Sequence, residues 1–300
     1  MRILFPLLIA FLFSCETTKD KKLEELATTF ENSGGTQTAT YEEVTEHYLK
    51  LAQDYPQINV QANGDTDSGY PLHLVTFNPE GNFNFKKLRE DKVLVLINNG
   101  IHPGESDGID AAMLLFRDLA VGKLKAPKNV VVATVAVYNV GGMLNRNSGT
   151  RANQNGPESY GFRGNSRNYD LNRDFIKMDT KNAQTFTKIF HLVAPSVFVD
   201  THVSNGADYQ YTLTHLFTQH NKLGGKSGAY LHEQFMPNLE GALKDKSWDI
   251  TPYVNVYNTT PDQGFTQFLD GPRYSTGYTT LFNTLGVMLE THMLKPYKQR

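Results

Sequence analysis

Three runs of β-branched and aliphatic residues, Val93–Asn98, 130–138 and 197–200, are apolar at consecutive rather than alternate positions. Strands that face water on one side alternate, whereas continuous apolar strands are buried on both faces and need helices above and below them. The intervening segments supply those layers, with helical periodicity at 109–120 and 181–193. This alternation predicts an α/β fold in which a central mixed, largely parallel twisted sheet is flanked by helices. Upstream, Thr40 and Glu43 form a capping box that opens a helix over Tyr41–Asp54. Strand-like runs at 58–61 and 72–77 flank the turn-rich stretch 64–69 and read as a hairpin. With 300 residues, 39% hydrophobic and 20% charged, the chain can bury such a core as one domain.

Charge and cysteine content narrow the chemistry. Lys and Arg total 29 against 31 Asp and Glu, a net charge of -2, so no basic surplus serves a phosphate backbone and no nucleic-acid partner is expected. Cys15 is the only cysteine, which excludes a disulfide within the chain and a zinc site built on thiolates. Arg2, the apolar run 3–13 and Ser14 read as an export signal, the run being too short to span a bilayer. The order Leu12, Phe13, Ser14, Cys15 resembles the lipobox of bacterial lipoproteins, in which the cysteine is acylated. The expected organisation is a signal peptide at 1–14, a lipid-anchored tether at 15–39 and the main domain at 40–300, exported and held on a membrane facing the periplasm or cell exterior.

Directly after the strand Val93–Asn98 comes Asn99-Gly100-Ile101-His102-Pro103-Gly104-Glu105. Open α/β sheets place ligands at the C-terminal ends of their strands. From such a turn His102 and Glu105 can reach one ion, and a catalytic zinc needs three protein ligands. His202, at the end of the run 197–200, supplies the third; His215, His220 and His292 are rivals that end no comparable strand. Between 139 and 170 the chain has no periodicity and carries Arg146, Arg151, Arg163 and Arg167 with no lysine and one glutamate, Glu158. A loop of that length inside a compact domain is usually functional.

These residues resemble the zinc carboxypeptidase family. Its ordered landmarks are H-x-x-E, an arginine, D-x-N-R, a histidine after a strand and a late glutamate; here they are His102 with Glu105, Arg163, Asp170-Leu171-Asn172-Arg173, His202 and Glu290. The resemblance implies one zinc ion per chain on His102, Glu105 and His202, with Asp170 orienting His102. Asn172 and Arg173 would grip the terminal carboxylate of a peptide, Arg163 would stabilise the oxyanion, and Glu290 would move the proton. Arg151 fits the longer loop spacing of another branch and competes with Arg163. The family's substrate-covering tyrosine is matched to Tyr278 ahead of Tyr274 and Tyr257. Only ten residues follow Glu290, so the domain is expected either to be a shortened version of the family's or to end before that fold is complete. Between 225 and 277 no charge or aromatic pattern marks a side-chain preference. The implied reaction is hydrolysis of a C-terminal peptide bond. Two rivals stand beside it: a related zinc amidohydrolase acting on N-acyl amino acids, and a non-catalytic lipoprotein of this fold that binds peptides or glycans.

Overall fold

The computed structural model describes residues 18–258 and 260–300. Among these residues there are ten strands: β1 Ile58–Asp65, β2 Pro71–Phe77, β3 Val93–Asn98, β4 Val130–Val135, β5 Val197–Val203, β6 Leu213–Phe217, β7 Thr251–Pro252, β8 Val254–Val256, β9 Phe265–Gln267 and β10 Leu285–Thr291. Eight of them form one sheet in the order β1-β2-β4-β3-β5-β10-β6-β7, and β8 with β9 form a separate hairpin. The centre is parallel, β4 on β3, β3 on β5 and β5 on β10, while β1-β2, β2-β4 and β10-β6 are antiparallel. This is the mixed α/β sheet expected. The crossovers from β3 to β4 and from β4 to β5 carry the helices Asp107–Ala120 and Lys181–Val193, because parallel neighbours cannot be joined by a tight turn.

Alternation along β5 shows how the layers sit. Phe198 packs its ring on Phe186 and Phe190 of the helix Lys181–Val193, at 5.9 and 6.0 Å between centroids. Thr201 lies against Gly108 of the helix Asp107–Ala120, where an added Cβ would stand 2.1 Å from its Oγ1. Residues an odd number apart point to opposite faces, so the two helices cover opposite sides of the sheet. The helix Tyr41–Asp54 has the expected capping box between Thr40 and Glu43 and lies over the second layer through Tyr48, whose ring meets Phe116 edge-on at 5.7 Å.

The tether expected at 15–39 is corrected from residue 26 onward. Leu26, Thr28, Thr38 and Ala39 are buried, and Arg117 pairs with Glu31. Phe30 meets Tyr297 edge-on at 5.6 Å. Short polar helices hid this packing, since a four-residue helix such as Thr29–Asn32 is too short to show a periodic face. The expected signal peptide and Cys15 lie outside the described residues.

Candidate metal centre and substrate cavity

The sheet brings three ligand atoms together at the C-terminal ends of β3 and β5. The turn after β3 is shaped by Gly100, whose φ of +66° is a left-handed conformation and where a Cβ would stand 2.9 Å from Ile109 Cδ1. The Glu105 N–H then donates to the His102 carbonyl at 2.8 Å, closing the turn with both side chains inward. His102, Glu105 and His202 are all nearly fully buried. His102 Nδ1 lies 3.2 Å from Glu105 Oε1, and His202 Nδ1 lies 3.0 Å from Glu105 Oε2. One ligand atom from each falls within 4.8 Å of the others, and among the described residues they are the only group of three that could hold a metal ion.

The donor set suits zinc. Both imidazoles turn Nδ1 toward Glu105 and keep Nε2 for a second carboxylate, the arrangement that orients metal-binding histidines. His102 Nε2 donates to Asp170 Oδ1 at 2.9 Å, and His202 Nε2 donates to Asp200 Oδ2 at 2.9 Å. Asp200 is fully buried and its other oxygen accepts from Asn98 Nδ2 at 2.9 Å. Asp200 and Asn98 were missed in the sequence. The available signal was spacing, since residues two apart on a strand share a face. Burial works against a charged Glu105, but His102 and Arg151 outweigh it and hold the carboxyl well below its usual range. Burial likewise opposes His202 protonation, and Asp200 with Glu105 overcomes it, holding the imidazole well above its usual range.

Asp170 shows why the D-x-N-R segment is compact. It caps the 3-10 turn Leu171–Arg173, accepting the Asn172 N–H at 2.9 Å on the oxygen that meets His102. Its other oxygen accepts from Arg163 Nε at 3.1 Å and Nη2 at 2.9 Å. Despite partial burial, His102 and Arg163 hold the Asp170 carboxyl below its usual range. Arg173 lies over the Tyr274 ring at 4.6 Å from its centroid, and Asn172 Oδ1 is buried without a partner. Both line a cavity of about 160 Å³ together with the ligand triad, Arg163 and Glu290.

Glu290 reaches that cavity because β10 is inserted beside β5 in a register that pairs Glu290 with His202 and Met288 with Asp200. Burial, reinforced by Glu105, pushes its carboxyl up to about 8, against the pull of His202. The far wall comes from Asn205, Tyr253, Asn255, Phe268, Tyr274 and Thr276, most of them in the stretch where the sequence showed no pattern.

Tyr278 is corrected. It is 2% exposed, packed on Phe175, Phe190 and Phe282 with centroids 5.7, 5.5 and 5.1 Å away, and it does not line the cavity. Tyr274, one helical turn earlier, does; the helix Ser275–Thr279 turns Tyr278 into the apolar layer. Of the two competing arginines, Arg163 lines the cavity and Arg151 does not. The rival histidines stand apart: His215 meets Glu240 at 2.9 Å, His292 meets Asp208 at 3.3 Å, and His220 stacks on His232 at 4.3 Å.

Residues 44–194, half of the chain, match the sequence model of a family described as zinc carboxypeptidase. No curated protein matches the chain. Solved structures share the fold. A metallo-carboxypeptidase from Burkholderia cenocepacia aligns with a TM-score of 0.59 at 19% identity over 85% of this chain and 60% of its own. A Pseudomonas aeruginosa metallo-carboxypeptidase, solved with (2-guanidinoethylmercapto)succinic acid, gives 0.60 at 13% identity over 87% and 62%. Carboxypeptidase A from Helicoverpa armigera gives 0.60 at 14% identity over 91% and 70%. The chain thus spans about three fifths of the length of the two bacterial relatives.

Proposed function

Because this chain belongs to the zinc carboxypeptidase family, we propose that it hydrolyses the C-terminal peptide bond of peptides in the cavity above His102, Glu105 and His202. The observation that carries the reading is the convergence in that cavity of the ligand triad, two cationic groups and one protonatable carboxyl. His102, Glu105 and His202 would hold a zinc ion, which when bound would supply Lewis-acid polarisation of the scissile carbonyl and acidify the attacking water.

The chain's own groups do the rest. Arg173 and Asn172 bind the terminal carboxylate; a guanidinium fork matches its two oxygens, and Asn172 Oδ1 is unpartnered in the cavity. Arg163 reaches from Asp170 toward the ligands, its Nη1 3.6 Å from Glu105 Oε1, where it can stabilise negative charge developing on the carbonyl oxygen. Glu290 accepts the proton of the attacking water and delivers it to the amine as the C–N bond breaks. Burial raises the proton affinity of this carboxyl, which suits a group that takes up a proton and passes it on. Asp170 and Asp200 hold the two imidazoles in orientation throughout.

Zinc content and a mass-spectrometric product map test this together. Wild-type protein is expected to carry one zinc and release single C-terminal residues from mixed peptides, while His202→Ala loses the metal. Release of acyl groups from N-acyl amino acids with intact peptides would replace the peptidase reading by the amidohydrolase one. A wild-type protein that binds zinc and turns over neither would leave a binding module.

We also propose that Cys15 is acylated and anchors the exported protein, a reading supported by the Leu12 to Cys15 sequence alone. Among the described residues no helix is long and apolar enough to cross a membrane. Cys15→Ser is expected to release the protein from the detergent phase or block its processing, because acyl chains would supply the membrane affinity.

A further inference from the structure

Arg151 sits in the irregular loop between β4 and β5 but turns inward, only 13% exposed. Its Nη1 donates to Glu105 Oε1 at 2.7 Å, its Nη2 to the Val203 carbonyl at 3.3 Å, and its Nε to Gln154 Oε1 at 2.5 Å. Gln154 in turn donates through Nε2 to the Gly104 carbonyl at 2.9 Å. The backbone beneath is fixed as well, since the Arg151 N–H donates to the buried Tyr160 hydroxyl at 3.0 Å. Gly104 makes room for all of this: a Cβ there would stand 2.9 Å from Arg151 Cδ and 3.0 Å from the Gly161 carbonyl oxygen.

We infer that Arg151 and Gln154 form a clamp that positions Glu105, making Arg151 a positioning residue of the metal centre and not an oxyanion-stabilising one. The inference rests on the metal-site reading of the ligand triad. Its physical basis is that a glutamate is the most freely rotating of the three ligands. Oε2 is already fixed by the Val203 N–H at 3.1 Å, and Arg151 fixes Oε1 from a side chain that also grips Val203, so the carboxylate plane is tied to the end of β5. Without the clamp Oε1 loses its shortest contact, and only the Val203 N–H and the two imidazoles oppose rotation of Glu105 toward Arg163, whose Nη1 is 3.6 Å away. That move would take a ligand oxygen from the ion and a cation from the substrate at once. Groups that hold metal ligands in orientation typically contribute about 10-fold to 100-fold to metal affinity.

The test is zinc affinity by chelator competition on the full chain, with kcat, KM and a melting curve for each variant. Arg151→Ala is expected to weaken zinc binding by about 10-fold or more, Arg151→Lys to restore part of it through one retained donor, and Gln154→Ala to shift it less in the same direction. The latter two carry the test if Arg151→Ala fails to fold. Unchanged zinc affinity with a loss confined to kcat would overturn the clamp and return Arg151 to the oxyanion. A lower melting temperature with unchanged zinc affinity would overturn it also. His202→Ala is the control: if wild type and His202→Ala hold zinc equally, the metal-site reading fails and the clamp with it.

Discussion

His47 should make the stability of this fold fall as the solution is acidified, by an amount that its surroundings set. It lies on the helix Tyr41–Asp54 with Nε2 donating to the Met113 carbonyl of the helix Asp107–Ala120 at 3.3 Å, so it joins two helices in the layer behind the metal turn. Burial depresses its imidazole from 6.5 to about 4; the Met113 carbonyl opposes the shift and the Arg117 guanidinium adds to it. A folded value below the unfolded one means that the unfolded chain binds the proton more tightly between them. The contribution is therefore complete above pH 6.5 and lost as pH falls toward about 4. The full shift corresponds to roughly 3 kcal/mol, and partial exposure of the ring reduces this to about 2 kcal/mol. Urea unfolding of wild type and His47→Gln at intervals between pH 7 and 4 isolates the term, because metal loss and other titrations affect both proteins alike. Wild type is expected to lose about 2 kcal/mol relative to the variant across that range. A difference that stays flat with pH would show that the ring is either solvated or already protonated in the folded protein.

Gly108→Ala puts a Cβ 2.4 Å from that of Thr201, directly before His202, so a cost of roughly 1–3 kcal/mol should come with lowered zinc content; a stable variant with full zinc would mean that β5 yields freely. Glu290→Gln should keep its zinc and lose about two to four orders of magnitude in kcat, and near-normal turnover would return Glu290 to a structural role. Arg163→Ala should lower kcat by roughly two to three orders of magnitude with little change in KM, whereas Arg173→Ala should raise KM as well. Identical KM and kcat effects in the two variants would contradict their separate roles.

Local chemistry was readable in the sequence where it repeats over short distances. The capping box at Thr40 fixed the start of its helix, and consecutive apolar residues announced β3, β4 and β5. The ligand triad followed because strand ends in an α/β sheet are where ligands gather. What stayed hidden depends on contacts between distant segments. Asp200 is one polar residue inside an apolar strand, and its partner Asn98 lies on a different strand. Arg151 and Arg163 both sit in one irregular loop, and only the folded path turns one toward Glu105 and the other toward the cavity. Tyr274 and Tyr278 are one helical turn apart, and the turn's orientation, absent from any periodicity, decides which lines the cavity.

The placement of β10 between β5 and β6 also orders events in time. A chain leaving the ribosome exposes His102, Glu105 and His202 well before Glu290, by roughly ten seconds at ordinary rates of synthesis. Until β10 is in place β6 can pair with β7 but has no edge of the main sheet to join, and any part already folded has the ligand triad without Glu290. On the proposed mechanism, catalytic competence arrives with the same event that completes the sheet, and a chain that stops before β10 lacks both.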